Sequence, residues 1–381
     1  MQAEYGSNFF NNRKKLLVEQ WNHWKNNWMN GVVRLVERIL SGGNVSDLLA
    51  GNGTQIAHLS KDQQKLIQKI SLLTPGEAGP VFTVRRIESP EILELQVVTQ
   101  PQYLLELNNV NVDILTGLPQ LPMKFLINDV LAHWQRLMYR GGMTHSLRRL
   151  SKNKKFEPGT WIVLPYSPFY FHTLIEELPL LIKGSKVSEN LKVAVVRQTP
   201  KWALELLACV GLETVRFSEK ALKFEKYFAV TAPRGISPGD IQILRSSFKI
   251  ENSGAAKKRI LISRGTLDRA NLELERSIFN LLESHNFQII DPSTLSVREQ
   301  IKLFSTAELI VGFHGGALTN MLWARPGTHI LEVFNHPYRT HDFARLAQAC
   351  GHNYNSAEIY KLDGLKEIIA SFIATTGINH G

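Results

Sequence analysis

The chain has 381 residues, 44% apolar and 20% charged, and carries a net charge of +10 with a pI near 9.5. That length exceeds one ordinary core and suits two compact domains with an extension. The lack of low-complexity tracts and internal repeats excludes disordered, fibrous and solenoid classes. The positive balance points to an anionic partner without choosing between nucleic acid, a membrane surface and a phosphate-bearing ligand.

The opening MQAEYGSNFFNNRKK has no apolar run after its charges, and no eighteen-residue apolar stretch occurs anywhere. This predicts neither a signal peptide nor a membrane span, and a cytoplasmic location. Residues 13–40 repeat an apolar position through Leu17, Trp21, Trp24, Trp28, Leu35 and Ile39, with Lys14, Lys15, Lys25, Arg34 and Arg38 largely off that stripe. The pattern predicts an amphipathic helix. It packs on the protein's own body or a second copy, or lies on a membrane surface, where tryptophans opposite lysines suit the headgroup boundary.

From Val81 to about Leu115, short alternating runs broken by Ser-Pro and Gln-Pro pairs predict antiparallel strands. A basic, helix-like stretch (130–150) follows. TWIVLP then reads as a strand, FYFHTLIEELPLLI as a helix, LKVAVVR as a strand, the segment after Pro200 as a helix, and TVRF and YFAVT as strands. The polar ENSGAAKK (251–258) reads as a linker. After it the alternation restarts with RILISR, NLELERSIFNLLESH, FQIID, VREQIKLFSTA, ELIVGF and HILEVF. The expected class is α/β with parallel sheets covered by helices, in two Rossmann-like domains across a cleft. The boundaries are 1–77 for an N-terminal helical extension, 78–250 for a first Rossmann-like domain that opens with antiparallel strands, and 259–381 for a second.

The strongest local signal is ELIVGF-HGGALTN, where an apolar strand runs into His314, Gly315 and Gly316, and a helix is expected to begin near Ala317. Glycines at a strand-to-helix turn let the backbone approach a ligand, and the first amides of a helix present unpaired donors, so a phosphate fits. Packing alone is the plain alternative. Arg264 closes a strand on the ligand side of the sheet and Arg269 follows at a helix start, which suits diphosphate oxygens. Glu332 ends HILEVF at the same edge, where it could hold a ribose diol or pair with Arg325 or Arg339. On FYFHTLIEELPLLI, His172 and Glu176 lie four apart on one helix face, where either could serve as a general base; Glu177, one position round, is expected in solvent.

Several motifs are missing. No Asp-x-Asp, no metal-spaced His-Cys-Asp cluster and no Walker-type loop occurs. No metal or other cofactor is expected, and leaving-group charge falls to protein cations and amides. Cys209 and Cys350 lie in separate apolar helical stretches and read as buried thiols in a reducing compartment.

In order, ISR (262–264), Arg269, the helix with Glu273 and Glu275, LSVREQIKLFSTAELIVGFHGGALTN (295–320), ARPGTHILEVF and GHNY (351–354) resemble glycosyltransferase family 61. FHTLIEELP resembles that family's His-Trp-x-x-Asp-x-Leu-Pro segment. The resemblance covers roughly residues 158–356. It implies a GT-B fold and metal-independent, inverting transfer from a nucleotide-diphosphate sugar, in many members a UDP-sugar, with Arg264, Arg269, His314, Gly315 and Asn320 around the donor. Three departures stand out. His-Gly-Gly-Ala replaces the family's His-Gly-Ala-Gly; Thr173 and Glu176 stand at the tryptophan and aspartate positions; and the Asn-Glu pair is blurred into Glu273-Leu274-Glu275. The expected partners are a nucleotide-sugar donor and a glycan or lipid-linked acceptor, with membrane-surface contact or a homodimer through residues 13–40. The alternatives are an epimerase-like enzyme on nucleotide sugars and a basic nucleic-acid-binding protein. The second lacks any recognised binding motif.

Overall fold

The computed structural model describes residues 69–74, 78–87, 89, 92–99, 102–121, 125–126, 154–231, 236–250, 258–263, 272–283, 285–335, 340–359 and 364–376. All fall within one compact unit, Asp62–Gly381. The expected helix at 13–40, most of the basic stretch before 155, the linker residues 251–257, Arg264, Arg269 and Arg339 lie outside them.

The chain runs β1 (Lys69–Thr74), β2 (Ala78–Arg86), β3 (Ile92–Val98), β4 (Gln102–Asp113), β5 (Leu118–Leu121), β6 (Phe125–Leu126) and β7 (Phe156–Val163). A π-helical turn, His172–Glu177, leads into α1 (Leu178–Ser185), followed by β8 (Leu191–Val196), α2 (Lys201–Cys209), β9 (Thr214–Phe217), β10 (Ala221–Val230) and α3 (Pro238–Ser247). A second series follows: β11 (Lys258–Ile262), α4 (Leu272–Glu283), β12 (Phe287–Ile290), α5 (Val297–Phe304), β13 (Ala307–Phe313), a 3-10 helix (Gly316–Trp323), β14 (His329–Phe334), α6 (Asp342–Cys350), β15 (Asn353–Glu358) and α7 (Leu365–Thr375). The protein is α/β, and both sheets are mixed.

The first sheet runs β6-β5-β4-β10-β7-β8-β9, with β1 also on β4. Strands β10, β7, β8 and β9 are parallel, and β10 meets β4 antiparallel. The second runs β12-β11-β13-β14-β15-β2-β3, its first five strands all parallel. Strands β2 and β3 therefore join the second sheet, whereas the sequence grouped them with the first. Asn355 registers with Arg85 and Ser356 with Arg86, and an Arg86 to Glu358 ion pair of 2.5 Å closes the join. Periodicity marks a strand without naming its partner, and β15 would otherwise be an open edge.

Side chains on the second sheet alternate between two cores, as a strand's period of two requires. Ile260, Ile262, Ile310 and Ile330 point into a cluster that also holds Ile162, Leu174, Val193 and Leu206 from the first series. Leu261, Leu309, Val311, Leu331 and Val333 face the other way, onto Ile278, Leu282, Phe372 and Ile373 of α4 and α7. The two series thus share one apolar cluster. Ser296 and Glu299 form a capping box that starts α5, as the Ser-x-x-Glu spacing allows. Cys350 is buried, but Cys209 is only half-buried, a correction to the expectation for that thiol.

Candidate active site

Counted within the second series, the strand order is 2-1-3-4-5, which reverses between β11 and β13. Open α/β sheets place ligands at the carboxyl ends of strands at such a switch point. His314 follows the end of β13 there. Gly312 is required one step earlier: a Cβ on it would lie 2.9 Å from Leu318 Cδ2 and 3.3 Å from Ile262 Cβ, so only glycine lets the next helix press on the strand. At Gly316 an added Cβ would meet only Tyr170 Cβ, at an ordinary 3.9 Å. The exchanged order His-Gly-Gly-Ala is therefore sterically cheap at that position.

The helix expected after the turn is a 3-10 helix, and eight residues is long for that form. Side chains hold it. Asn320 Nδ2 donates to the Ala317 carbonyl at 3.1 Å, and Trp323 Nε1 donates to Asn320 Oδ1 at 3.0 Å. At the far end, Arg245 of α3 donates to the carbonyls of Leu322 and Ala324 at 2.6 and 2.5 Å, and His352 Nε2 lies 2.9 Å from the Met321 carbonyl. A cation at a helix C-terminus also complements the dipole. Burial pushes the His352 imidazole down from 6.5 to about 4, so it works as a neutral ring.

Glu332 lies fully buried on β14, paired across to Gly312 in register. Its Oε1 is 2.5 Å from His314 Nδ1, and Tyr354 donates its hydroxyl to Oε2. Burial pushes the carboxyl up, opposed by the His314 and Tyr354 bonds and reinforced by nearby Asp342. Both of this carboxylate's oxygens are engaged inside the protein. It orients His314, a partner that the sequence, which offered a ribose diol, Arg325 or Arg339, did not name. His314 also stacks on Phe334 at 5.1 Å and meets Phe343 edge-on at 5.5 Å.

The other half of the site follows β7. Helical structure begins at Tyr170, and His172 to Glu177 form the π-helical turn, a form often found at functional sites. His172 Nδ1 lies 2.9 Å from Glu176 Oε2, each side chain 26% exposed. Glu177, expected in solvent, is buried at 3%. Hydrogen bonds five apart widen the turn and carry residue 177 inward while 172 and 176 stay adjacent. Aromatic rings connect this turn to the glycine turn: His172 meets Phe171 at 5.3 Å, Phe171 meets Phe343 at 5.3 Å, and Phe343 meets His314. Tyr170 donates to Asn320 Oδ1 at 3.4 Å alongside.

A family model described as Glycosyltransferase 61 matches residues 160–331, from within β7 to within β14. Those residues carry a glycosyltransferase family 61 domain. It is a glycosyltransferase. No curated protein matches it.

In this glycosyltransferase, His314, Gly315, Gly316 and Ala317 form one turn, and His172 and Glu176 form one pair, brought near it by the aromatic bridge. Asn320 sits 1% exposed and spends its amide on Ala317, Tyr170 and Trp323, so it shapes the turn from inside. Among the described residues no group of three His, Cys, Asp or Glu could hold a metal ion, and no helix is long and apolar enough to cross a membrane. The sequence reading assigned no role to Tyr354, His352, Arg245, Tyr170 or Phe343. His352 and Tyr354 stand within GHNY, a segment noticed for its resemblance alone. Arg245 and Phe343 carried no motif signal, because their contacts cross between distant segments.

Proposed function

We propose that this enzyme transfers a sugar from a nucleotide-diphosphate donor, a UDP-sugar by family resemblance, to an acceptor hydroxyl on a glycan, lipid-linked or protein substrate. Transfer is inverting and metal-independent, the two sheets serve as the two halves of a GT-B fold, and the product enters polysaccharide biosynthesis. One observation carries this reading: two histidine-carboxylate pairs, one partly exposed and one buried, meet through the Phe171 and Phe343 rings next to a glycine turn at a switch point.

The chemistry divides between them. The acceptor hydroxyl attacks the anomeric carbon in line with the departing diphosphate, and its proton passes to Glu176, or to His172 if the glutamate only orients it. As the anomeric carbon–oxygen bond breaks, negative charge grows on the diphosphate. His314 and the amides of Gly315, Gly316 and Ala317 meet that charge, with Arg264 and Arg269 assigned there by resemblance. Residues 13–40 serve either packing, on the protein's own body or a second copy, or contact with the cytoplasmic membrane face: their deletion should lower sedimentation with anionic liposomes in the second case and, in a homodimer, abolish the dimer in light scattering.

The deciding experiment is thermal unfolding with a panel of nucleotide sugars, each with EDTA or with magnesium or manganese. A UDP-sugar, or another nucleotide-diphosphate sugar, should raise the melting temperature equally in all three conditions. No protection by any donor would end the reading, and protection only with metal would remove its metal-independent part.

A further inference from the structure

We propose that the ring of Phe169 is the platform on which a sugar ring of the acceptor stacks, which makes the acceptor a carbohydrate. This rests on the reading of His172 and Glu176 as the acceptor side. Few large apolar side chains reach solvent among the described residues, and Phe169 is one of them at 40% exposed. A lone exposed ring carries no message by itself. Its position gives it one. The ring lies 6.0 Å from the His172 imidazole in a T-shaped contact, and His172 in turn holds Glu176.

Its backbone is fixed as well. Ser167 Oγ accepts from the Phe169 amide at 3.1 Å, and the Phe169 carbonyl accepts from Thr173 N at 3.2 Å, so the ring projects from the anchored start of the turn that carries the pair. The face of a benzene ring is electron-rich and attracts the weakly positive C–H face of a sugar ring, whose hydroxyls remain at the rim. A sugar on Phe169 would thereby direct a hydroxyl toward the His172 and Glu176 pair.

Two other acceptor types fit less well. A lipid tail needs a contiguous apolar patch; the exposed Pro168 extends this one by a single small ring, and the partly exposed His172 and Glu176 put polar groups on the same turn. An extended peptide commonly adds to a free sheet edge, and β7, the strand leading to Phe169, is covered by β10 on one side and β8 on the other.

The test uses the full-length protein saturated with UDP and a set of free disaccharides (cellobiose, xylobiose, mannobiose and lactose) in saturation-transfer NMR. At least one should bind wild type, weaken roughly tenfold in Phe169→Ala and be retained in Phe169→Trp, while calorimetric UDP affinity stays the same in all three proteins. Undiminished disaccharide binding in Phe169→Ala would overturn the platform. So would failure of every disaccharide on wild type that still binds UDP, or binding of serine-containing peptides or isoprenoid-phosphate vesicles in their place. Failure of wild type to bind any nucleotide diphosphate would instead count against the donor reading, and the disaccharide comparison would still be decided by the alanine and tryptophan variants.

Discussion

The two histidine-carboxylate pairs use the same atoms in opposite settings. His172 and Glu176 come from one π-helical turn and stand 26% exposed on both sides, open to whatever binds beside them. His314 and Glu332 come from the ends of neighbouring strands. Glu332 is fully buried and Tyr354 holds its second oxygen. Burial with partners fixes a group's geometry, whereas partial exposure leaves its proton negotiable. The first pair is therefore the one we propose for proton transfer, and the second the one proposed to hold a fixed hydrogen-bonding group toward a diphosphate.

The sharpest way to break that contrast is Glu176→Gln, which keeps shape and hydrogen-bonding reach but cannot take a proton. Turnover should fall by roughly two to four orders of magnitude, with calorimetric donor affinity close to wild type. More than about a tenth of the activity remaining would exceed what loss of a general base allows and would shift that role to His172. His314→Ala should show the reverse pattern. Nucleotide-diphosphate affinity should weaken by about 1.5–3 kcal/mol for a lost charge-assisted bond, with the folded state intact by circular dichroism. Unchanged affinity would remove His314 from the donor site.

Much of this arrangement was legible in the sequence, and the reasons differ by element. Strands such as TVRF and HILEVF match their observed limits because alternation and apolar runs are local signals. The pairing of His172 with Glu176 was readable from a spacing of four. The buried state of Glu177 was not, because a widened turn follows from packing that no local pattern encodes. The partner of Glu332 was missed for a related reason. His314 precedes it by eighteen residues, and only the parallel register of β13 and β14 brings the two together. The joining of β2 to β15 across the chain was equally invisible, since it depends on which edge remains open.

The buried support of the glycine turn predicts a pH effect on stability. His352, which supports the 3-10 helix from behind, has its pKa lowered by burial from 6.5 to about 4, so the unfolded chain binds the extra proton first. Its contribution is complete above about pH 6.5 and is lost as pH falls toward 4. Between pH 7 and pH 5 the loss should be about 2 kcal/mol. Urea denaturation at the two pH values would measure it, and His352→Gln should flatten the difference by that amount. An equal pH dependence in the variant would mean that another group controls the transition.

The smallest expected effect tests how far the fixed pair depends on its outermost member. In Tyr354→Phe the ring stays and only the hydroxyl is lost, so packing changes little. That hydroxyl opposes the rise that burial imposes on Glu332. Without it the carboxyl should rise further and hold the His314 ring less firmly in place, so UDP affinity should fall by about 0.5–1.5 kcal/mol, the net worth of one hydrogen bond. Calorimetry with UDP reads this directly, and urea denaturation run alongside reports the stability change. Lower stability with unaltered UDP affinity would make Tyr354 a packing residue. Lower affinity in Tyr354→Phe that is absent when the change is made in a His314→Ala background would show that the hydroxyl acts through the histidine, since removing the carrier should abolish the effect of tuning it.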